Sequence, residues 1–121
     1  MKILIVDDDS LIQDMYALKL KEAGFEVFTA HEGKTAIATV AKEKPDAVLL
    51  DVILPQMDGF EILQELKTQG LLAATRVIML TNVGERKDVE RGMELGASDY
   101  IIKANFTPSQ VVEKVKKILK K

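Results

Sequence analysis

Short continuous apolar runs alternate with stretches of helical spacing from one end of the chain to the other. Ile3 to Val6 is an unbroken apolar run, rich in β-branched residues, that stops at three acids. Such a run suits a strand buried on both faces. Leu11, Ile12, Met15 and Leu18 then recur at helical spacing as the apolar stripe of a first helix, with Gly24 as its stop. Phe25 to Thr29 alternates and predicts a second strand, and Ala36, Ile37, Val40 and Ala41 form the next helical stripe, closed by Pro45. Ala47 to Leu50 predicts a third strand ending at Asp51. Pro55 breaks the chain, and Asp58 is placed to cap a helix carrying Phe60, Leu63 and Leu66. Arg76 to Leu80 predicts a fourth strand ending at Thr81, and Val89, Met93 and Leu95 a fourth helix stopped by Gly96. Tyr100 to Ile102 predicts a short fifth strand ending at Lys103. Thr107 caps a last helix with Pro108 at its first position and Val111, Val112, Val115, Ile118 and Leu119 on its apolar face.

Five strands alternating with five helices predict an α/β domain with a parallel sheet. The 121 residues suit one domain, and no repeat, linker or low-complexity tract divides them. The expectation is one unit over residues 1–121 with no output domain. Apolar residues make up 47% and charged residues 30%, a globular balance. A net charge of -2 gives no general attraction to nucleic acid, so no direct nucleic-acid binding is expected. Lys114, Lys116, Lys117, Lys120 and Lys121 crowd the C-terminus, where a solvated helix end with cations favoured by the helix dipole accounts for them. The absence of cysteine excludes a disulfide scaffold, a thiolate nucleophile and a thiolate metal site. No segment has the length of a membrane span or a signal-peptide core. The expected location is the cytoplasm, without membrane association.

Polar signals follow four of the predicted strands: Asp7-Asp8-Asp9, Asp51, Thr81 and Lys103. In an open parallel sheet the carboxyl ends of the strands share one edge, and ligands bind there. Converging carboxylates make a hard-oxygen site of the kind Mg²⁺ takes while keeping several waters. A carboxylate such as Asp51 can act as nucleophile and form an acyl phosphate. Phosphoryl transfer needs positioning and charge stabilisation more than covalent help. Lys103 supplies a positive charge for phosphoryl oxygens, and the Thr81 hydroxyl can donate a hydrogen bond to one of them. Each signal is weak alone. Asp9 fits helix capping better than chemistry, and the lone histidine, His31, reads as a solvated loop residue. The joint placement of all four is specific.

With those residues in view, the chain resembles bacterial response-regulator receiver domains of the CheY-like kind over essentially its whole length. The carrying segments are ILIVDDD (Ile3 to Asp9), DVILPQMDG (Asp51 to Gly59), VIMLTN (Val77 to Asn82) and GASDYIIK (Gly96 to Lys103). The resemblance implies a flavodoxin-like, doubly wound five-stranded sheet of order 2-1-3-4-5. It implies that Asp51 is the phosphoacceptor, Asp8 a direct Mg²⁺ ligand, Asp7 an acid holding the ion mainly through water, and the Ile53 backbone carbonyl a further ligand. Thr81 would be the switch hydroxyl, Lys103 the characteristic lysine and Tyr100 the switch aromatic. The donor would be a histidine kinase or histidine phosphotransfer protein. The domain itself would catalyse only its own phosphorylation and dephosphorylation, acting as a monomer or a phosphorylation-dependent dimer.

Two departures from the family pattern stand out. Lys103 is followed by Ala104, where relatives carry proline after a cis bond. A non-proline cis bond costs about 2.5–4 kcal/mol, so the turn is either trans or strained. Asn82 stands where the family prefers a small residue; it is expected to narrow access to the phosphoryl site and, with Ile53, to change the lifetime of the phosphorylated form. Three other readings compete: a flavodoxin-like FMN protein, an aspartyl phosphatase, and a degenerate receiver acting as a constitutive binding module. The acids after the first strand oppose FMN, because they would repel a phosphate without a metal.

Overall fold

The apolar runs Ile3–Val6, Ala47–Leu50 and Val77–Leu80 are buried on both faces and form the middle of one parallel sheet, which must be covered on both sides. The computed structural model describes residues 1–82 and 86–120. The strands are β1 (Lys2–Val6), β2 (Glu26–Ala30), β3 (Ala47–Leu50), β4 (Arg76–Thr81) and β5 (Asp99–Ile102). Between and after them run α1 (Ser10–Glu22), α2 (Gly33–Glu43), α3 (Gly59–Thr68), α4 (Arg86–Glu94) and α5 (Pro108–Leu119). Short 3₁₀ turns at Leu71–Ala73 and Lys103–Asn105 complete the connections. The strand order is β2-β1-β3-β4-β5, as the family resemblance implies. The chain leaves β1 outward to β2, then returns across it to β3. That reversal opens a crevice at the carboxyl ends of β1 and β3.

Alternate residues of each strand feed the two faces. Leu4, Val6, Val48, Leu50, Val77 and Met79 pack with Ala36 and Val40 of α2 and with Phe60, Leu63 and Leu66 of α3. Ile3, Ile5, Leu49, Ile78, Leu80 and Ile101 pack with Tyr16, Ala17 and Leu20 of α1 and with Val111, Val112 and Val115 of α5. Thr107 caps α5 and forms a reciprocal capping box with Gln110, while Asp58 does the same for α3 with Glu61.

The first helix departs from its predicted face. Its buried residues are Gln13, Tyr16, Ala17 and Leu20. Leu11 is 77% exposed, Leu18 58% and Met15 45%, and Ile12 is half-buried. Two stripes compete on this helix, and the sheet takes the one carrying the Tyr16 ring. Its polar member, Gln13, is satisfied by backbone carbonyls of Ile5 and Ala30. Ala41 is likewise exposed. In α4, Val89 is half-buried and Met93 is 45% exposed, and the one buried residue is Gly92. The second strand starts at Glu26 because the Phe25 N–H closes the end of α1 on the Leu20 carbonyl. Of the C-terminal lysines, Lys117 and Lys120 are exposed, as a solvated helix end requires, whereas Lys114 and Lys116 are half-buried and face Asp99 at 3.6 Å and Glu113 at 3.5 Å. Lys121 lies outside the described residues.

The rotation of α1 is testable by truncation. Leu20→Ala should cost about 2–5 kcal/mol in chemical denaturation, whereas Leu18→Ala should stay within about 0.5 kcal/mol of the parent. Equal losses would contradict the observed face.

Candidate functional site at the carboxyl edge of the sheet

The register between β1 and β3 pairs Val6 with Leu50, so Asp7 and Asp51 emerge side by side one residue further on. The Asp51 N–H donates to the Val6 carbonyl at 3.1 Å and the Asp7 N–H to the Ala30 carbonyl at 3.2 Å. Asp7 is buried; its Oδ1 accepts the Asp9 N–H at 2.9 Å. Asp51 is 8% exposed, and its Oδ1 accepts the Ile53 N–H at 3.3 Å. Lys103 reaches in from the end of β5. Its Nζ donates to Asp7 Oδ2 at 2.7 Å and to Asp51 Oδ2 at 3.1 Å, with the side chain only 8% exposed. Burial pulls the Lys103 ammonium toward deprotonation, but the hydrogen bond to Asp7 and the charge of Asp51 outweigh it. The ammonium is held above its ordinary value and stays charged.

No peptide bond among the described residues is cis. The turn after β5 is a 3₁₀ turn, closed by the Phe106 N–H on the Lys103 carbonyl at 3.2 Å. With trans geometry and Ala104 in place of proline, Lys103 still reaches both acids.

Asp8 stands exposed at the mouth of the crevice. Asp7, Asp8 and Asp51 each offer an oxygen within 4.8 Å of the others. Opposite ligands of Mg²⁺ lie about 4.2 Å apart, twice its bond to oxygen, so modest closure would let one ion serve them. Three hard carboxylate oxygens beside a cleft of about 220 Å³ fit that ion and leave room for its waters. The cleft is lined by Asp7, Asp8, Asp9, Ile12, Asp51, Ile53, Asn82 and Lys103. Asp9 spends its carboxylate on the cap of α1, accepting the N–H groups of Leu11 and Ile12 at 3.0 and 3.2 Å. Ile53, 63% exposed, and Asn82, also exposed, both line the cleft.

Thr81 ends β4 opposite Ile102 and is fully buried behind the cleft wall, so it shares the edge without lining the opening. Tyr100 is further back on β5, half-buried against the α2–α3 side of the core. Burial raises its phenol to about 12, and the charges of Asp88 and Asp51 add to the effect. His31 is exposed, with Nδ1 3.2 Å from the Asp7 carbonyl oxygen.

Two contributors escape a reading of the chain alone. Gln13 is a buried amide beneath the acid loop, in a helix position that polarity would put outside. Gly59 reads as turn and capping chemistry, yet a Cβ there would lie 2.3 Å from the Asp51 carbonyl oxygen. Its N–H also donates to the Val52 carbonyl at 2.8 Å. Only glycine allows the start of α3 to press against the Asp51 turn this closely. The Asp-Gly pair after Pro55 was the available signal.

Fold and site together define a doubly wound α/β domain with an acidic, lysine-bridged crevice at its switch point. Residues 3–116 match the family of the response regulator receiver domain, and the chain belongs to that family. It is 41% identical over 120 residues to the alkaline phosphatase synthesis transcriptional regulatory protein PhoP of Bacillus subtilis, covering 99% of this chain and 49% of that protein. It is 40% identical to the phosphate regulon transcriptional regulatory protein PhoB of Pseudomonas aeruginosa, covering 98% of this chain and 52% of that protein. The chain thus spans about half the length of the curated relatives it matches. Among solved structures, the chemotaxis protein CheY4 of Vibrio cholerae superposes with a TM-score of 0.89 at 32% identity, covering 97% of each chain. A putative response regulator of Chloroflexus aurantiacus gives 0.88 at 38%, covering 99% of this chain and 98% of that one. The domain is a receiver of phosphorylation-based two-component signalling, and such domains generally bind Mg²⁺ at an acidic pocket. No helix among the described residues is long and apolar enough to cross a membrane.

Gly59→Ala should destabilise the domain by about 1–3 kcal/mol through overpacking and move the amide resonances of Asp51 and Val52 in NMR spectra; an unperturbed spectrum would contradict the close approach. A second expectation concerns alkaline pH. Tyr100 is held at about 12, and Tyr16 is held above 10.0 by burial, which outweighs the lowering charge of Lys103 and is helped by the charges of Asp7 and Asp51. Both folded values lie above the unfolded one, so the contribution of each is complete below pH 10.0 and is lost as pH rises through its folded value, about 12 for Tyr100. Lys103, raised from 10.5, acts in the same direction. Denaturation midpoints should fall over that window, and phenolate absorbance should lag behind that of the unfolded chain.

Proposed function

We propose that Asp51 is the phosphoacceptor, taking a phosphoryl group from a phosphohistidine of a histidine kinase or histidine phosphotransfer protein. The observation that carries this reading is the single Lys103 ammonium bridging Asp51 and Asp7 in a cleft that Asp8 completes. Asp8, Asp51, the Ile53 carbonyl and, through water, Asp7 are the ligands we assign to Mg²⁺. When bound, the ion would neutralise the acids and draw charge from the phosphoryl oxygens.

Both oxygens of Asp51 are engaged, one by the Ile53 N–H and one by Lys103, so the carboxylate is held in one orientation before a donor arrives. A carboxylate oxygen attacks phosphorus, the P–N bond to the donor imidazole breaks, and that nitrogen takes a proton. Formation of the acyl phosphate removes the Asp51 charge, one of the two that hold Lys103, and the ammonium, still bonded to Asp7, turns to the new phosphoryl oxygens. Thr81 moves toward the same oxygens and draws its loop with it; Tyr100 turns into the space released. The face made by α4, β5 and α5 changes shape, and a protein partner reads it. Hydrolysis follows by attack of water on phosphorus, with Ile53 and Asn82 at the rim controlling access. The exposed apolar stripe of Leu11, Met15 and Leu18 on α1, the helix whose Ile12 lines the cleft, suits a protein donor better than a free small molecule.

The degenerate, constitutive reading is not favoured, because the acids and the lysine are assembled. The domain catalyses only its own phosphorylation and dephosphorylation. A net charge of -2 agrees with a protein rather than a nucleic acid as the direct partner of this domain.

Incubation with a small-molecule phosphodonor and Mg²⁺ should add one phosphoryl group by intact mass, and Asp51→Asn should abolish the gain. A gain that persists in Asp51→Asn would move the acceptor elsewhere. Chelation of the metal should suppress the reaction. Lys103→Ala should leave Asp7 and Asp51 without their cation and slow it by on the order of 10²-fold or more.

A further inference from the structure

Gln13 is a polar side chain, 1% exposed, on a helix face otherwise made of Tyr16, Ala17 and Leu20. An apolar residue of similar size would fill that space without desolvating an amide. The amide donates from Nε2 to the carbonyls of Ile5 at 3.0 Å and of Ala30 at 2.9 Å. The Ala30 carbonyl also accepts the Asp7 N–H, so one oxygen takes two donors, as its two lone pairs allow.

These bonds close a ring around the acid loop. The Asp7 N–H is held by the Ala30 carbonyl at 3.2 Å. That carbonyl is held by the Gln13 side chain. The Gln13 N–H returns to the Asp9 carbonyl at 3.0 Å, and the Asp9 N–H to Asp7 Oδ1 at 2.9 Å. Asp8 sits at the middle of the loop so enclosed, exposed to solvent, and takes its position from the two ends. The carboxylates of Asp7, Asp8 and Asp51 repel one another within 4.8 Å, and a slack loop would let them part.

We propose that Gln13 is the positioning residue of the acid loop, tying α1 to the ends of β1 and β2 so that Asp7 and Asp8 stay gathered for a divalent cation. Gln13 touches neither the cation nor the phosphoryl group. This inference rests on the reading of the cleft as a Mg²⁺ site.

The test is calorimetric titration of the full chain with MgCl₂ alone, beside metal-free thermal unfolding, for the parent, Gln13→Met and Thr75→Val. The last removes a buried hydrogen bond, Thr75 Oγ1 to the Pro45 carbonyl at 2.7 Å, at the opposite end of the sheet. The parent should bind one ion. Gln13→Met should bind it on the order of tenfold more weakly, while Thr75→Val keeps the parental affinity despite its lower Tm. Should Gln13→Met fail to fold, Gln13→Asn, whose shorter side chain cannot span both carbonyls, is judged by the same criteria. Parental affinity in the Gln13 variant, or equal weakening in Thr75→Val, overturns the positioning role alone. No binding by the parent overturns the cation reading with it.

Discussion

One ammonium group between two carboxylates holds the functional edge together. Asp7 and Asp51 leave neighbouring strands at the switch point and would repel each other there. Lys103, arriving from the far strand β5, bonds to both. Its side chain is almost fully withdrawn from water, a position that a lone cation would not tolerate. The three groups therefore depend on one another: the lysine needs the acids to be buried, and the acids need the lysine to share a crevice. Neutralisation of this kind is provisional. Under the proposed reading, a divalent cation or a phosphoryl group would compete for the same partners, and its binding would redraw the electrostatic balance.

The sheet is what brings these residues together. Asp7, Asp51, Thr81 and Lys103 each sit at or just beyond the last residue of a strand, and the parallel arrangement turns such positions into neighbours. Gly59 adds a second constraint by letting the start of α3 press against the Asp51 turn. The aspartate is thus fixed from below by backbone contact and from above by Lys103, with little freedom left to its carboxylate.

Much of this was legible in the chain. The apolar runs of β1, β3 and β4 end in polar residues because the strand ends meet the crevice, where Asp7, Asp51 and Thr81 stay buried as polar groups. The caps at Asp58 and Thr107 follow from local chemistry and are where the spacing put them. The orientation of α1 was not legible. Leu11, Met15 and Leu18 make as good a stripe as Tyr16, Ala17 and Leu20, and only the sheet decides between them. Gln13 was hidden for the same reason, since an amide is read as surface unless the carbonyls that satisfy it are known. Gly59 needed three-dimensional proximity to be distinguished from an ordinary turn glycine. At Lys103-Ala104 both peptide geometries were open, and the 3₁₀ turn shows how the lysine reaches its acids in the trans form.

The helix α4 is attached unlike the others. Its buried residue is a glycine, Gly92, lying against Tyr100, Met79 and Phe60, and the guanidinium of Arg91 rests over the Phe60 ring at 4.5 Å. A helix that contributes so little apolar area to the interior gives up little when it slides or tilts. A displacement of this helix would uncover little apolar surface, so a rearrangement near Tyr100 would lose least by being passed to that side.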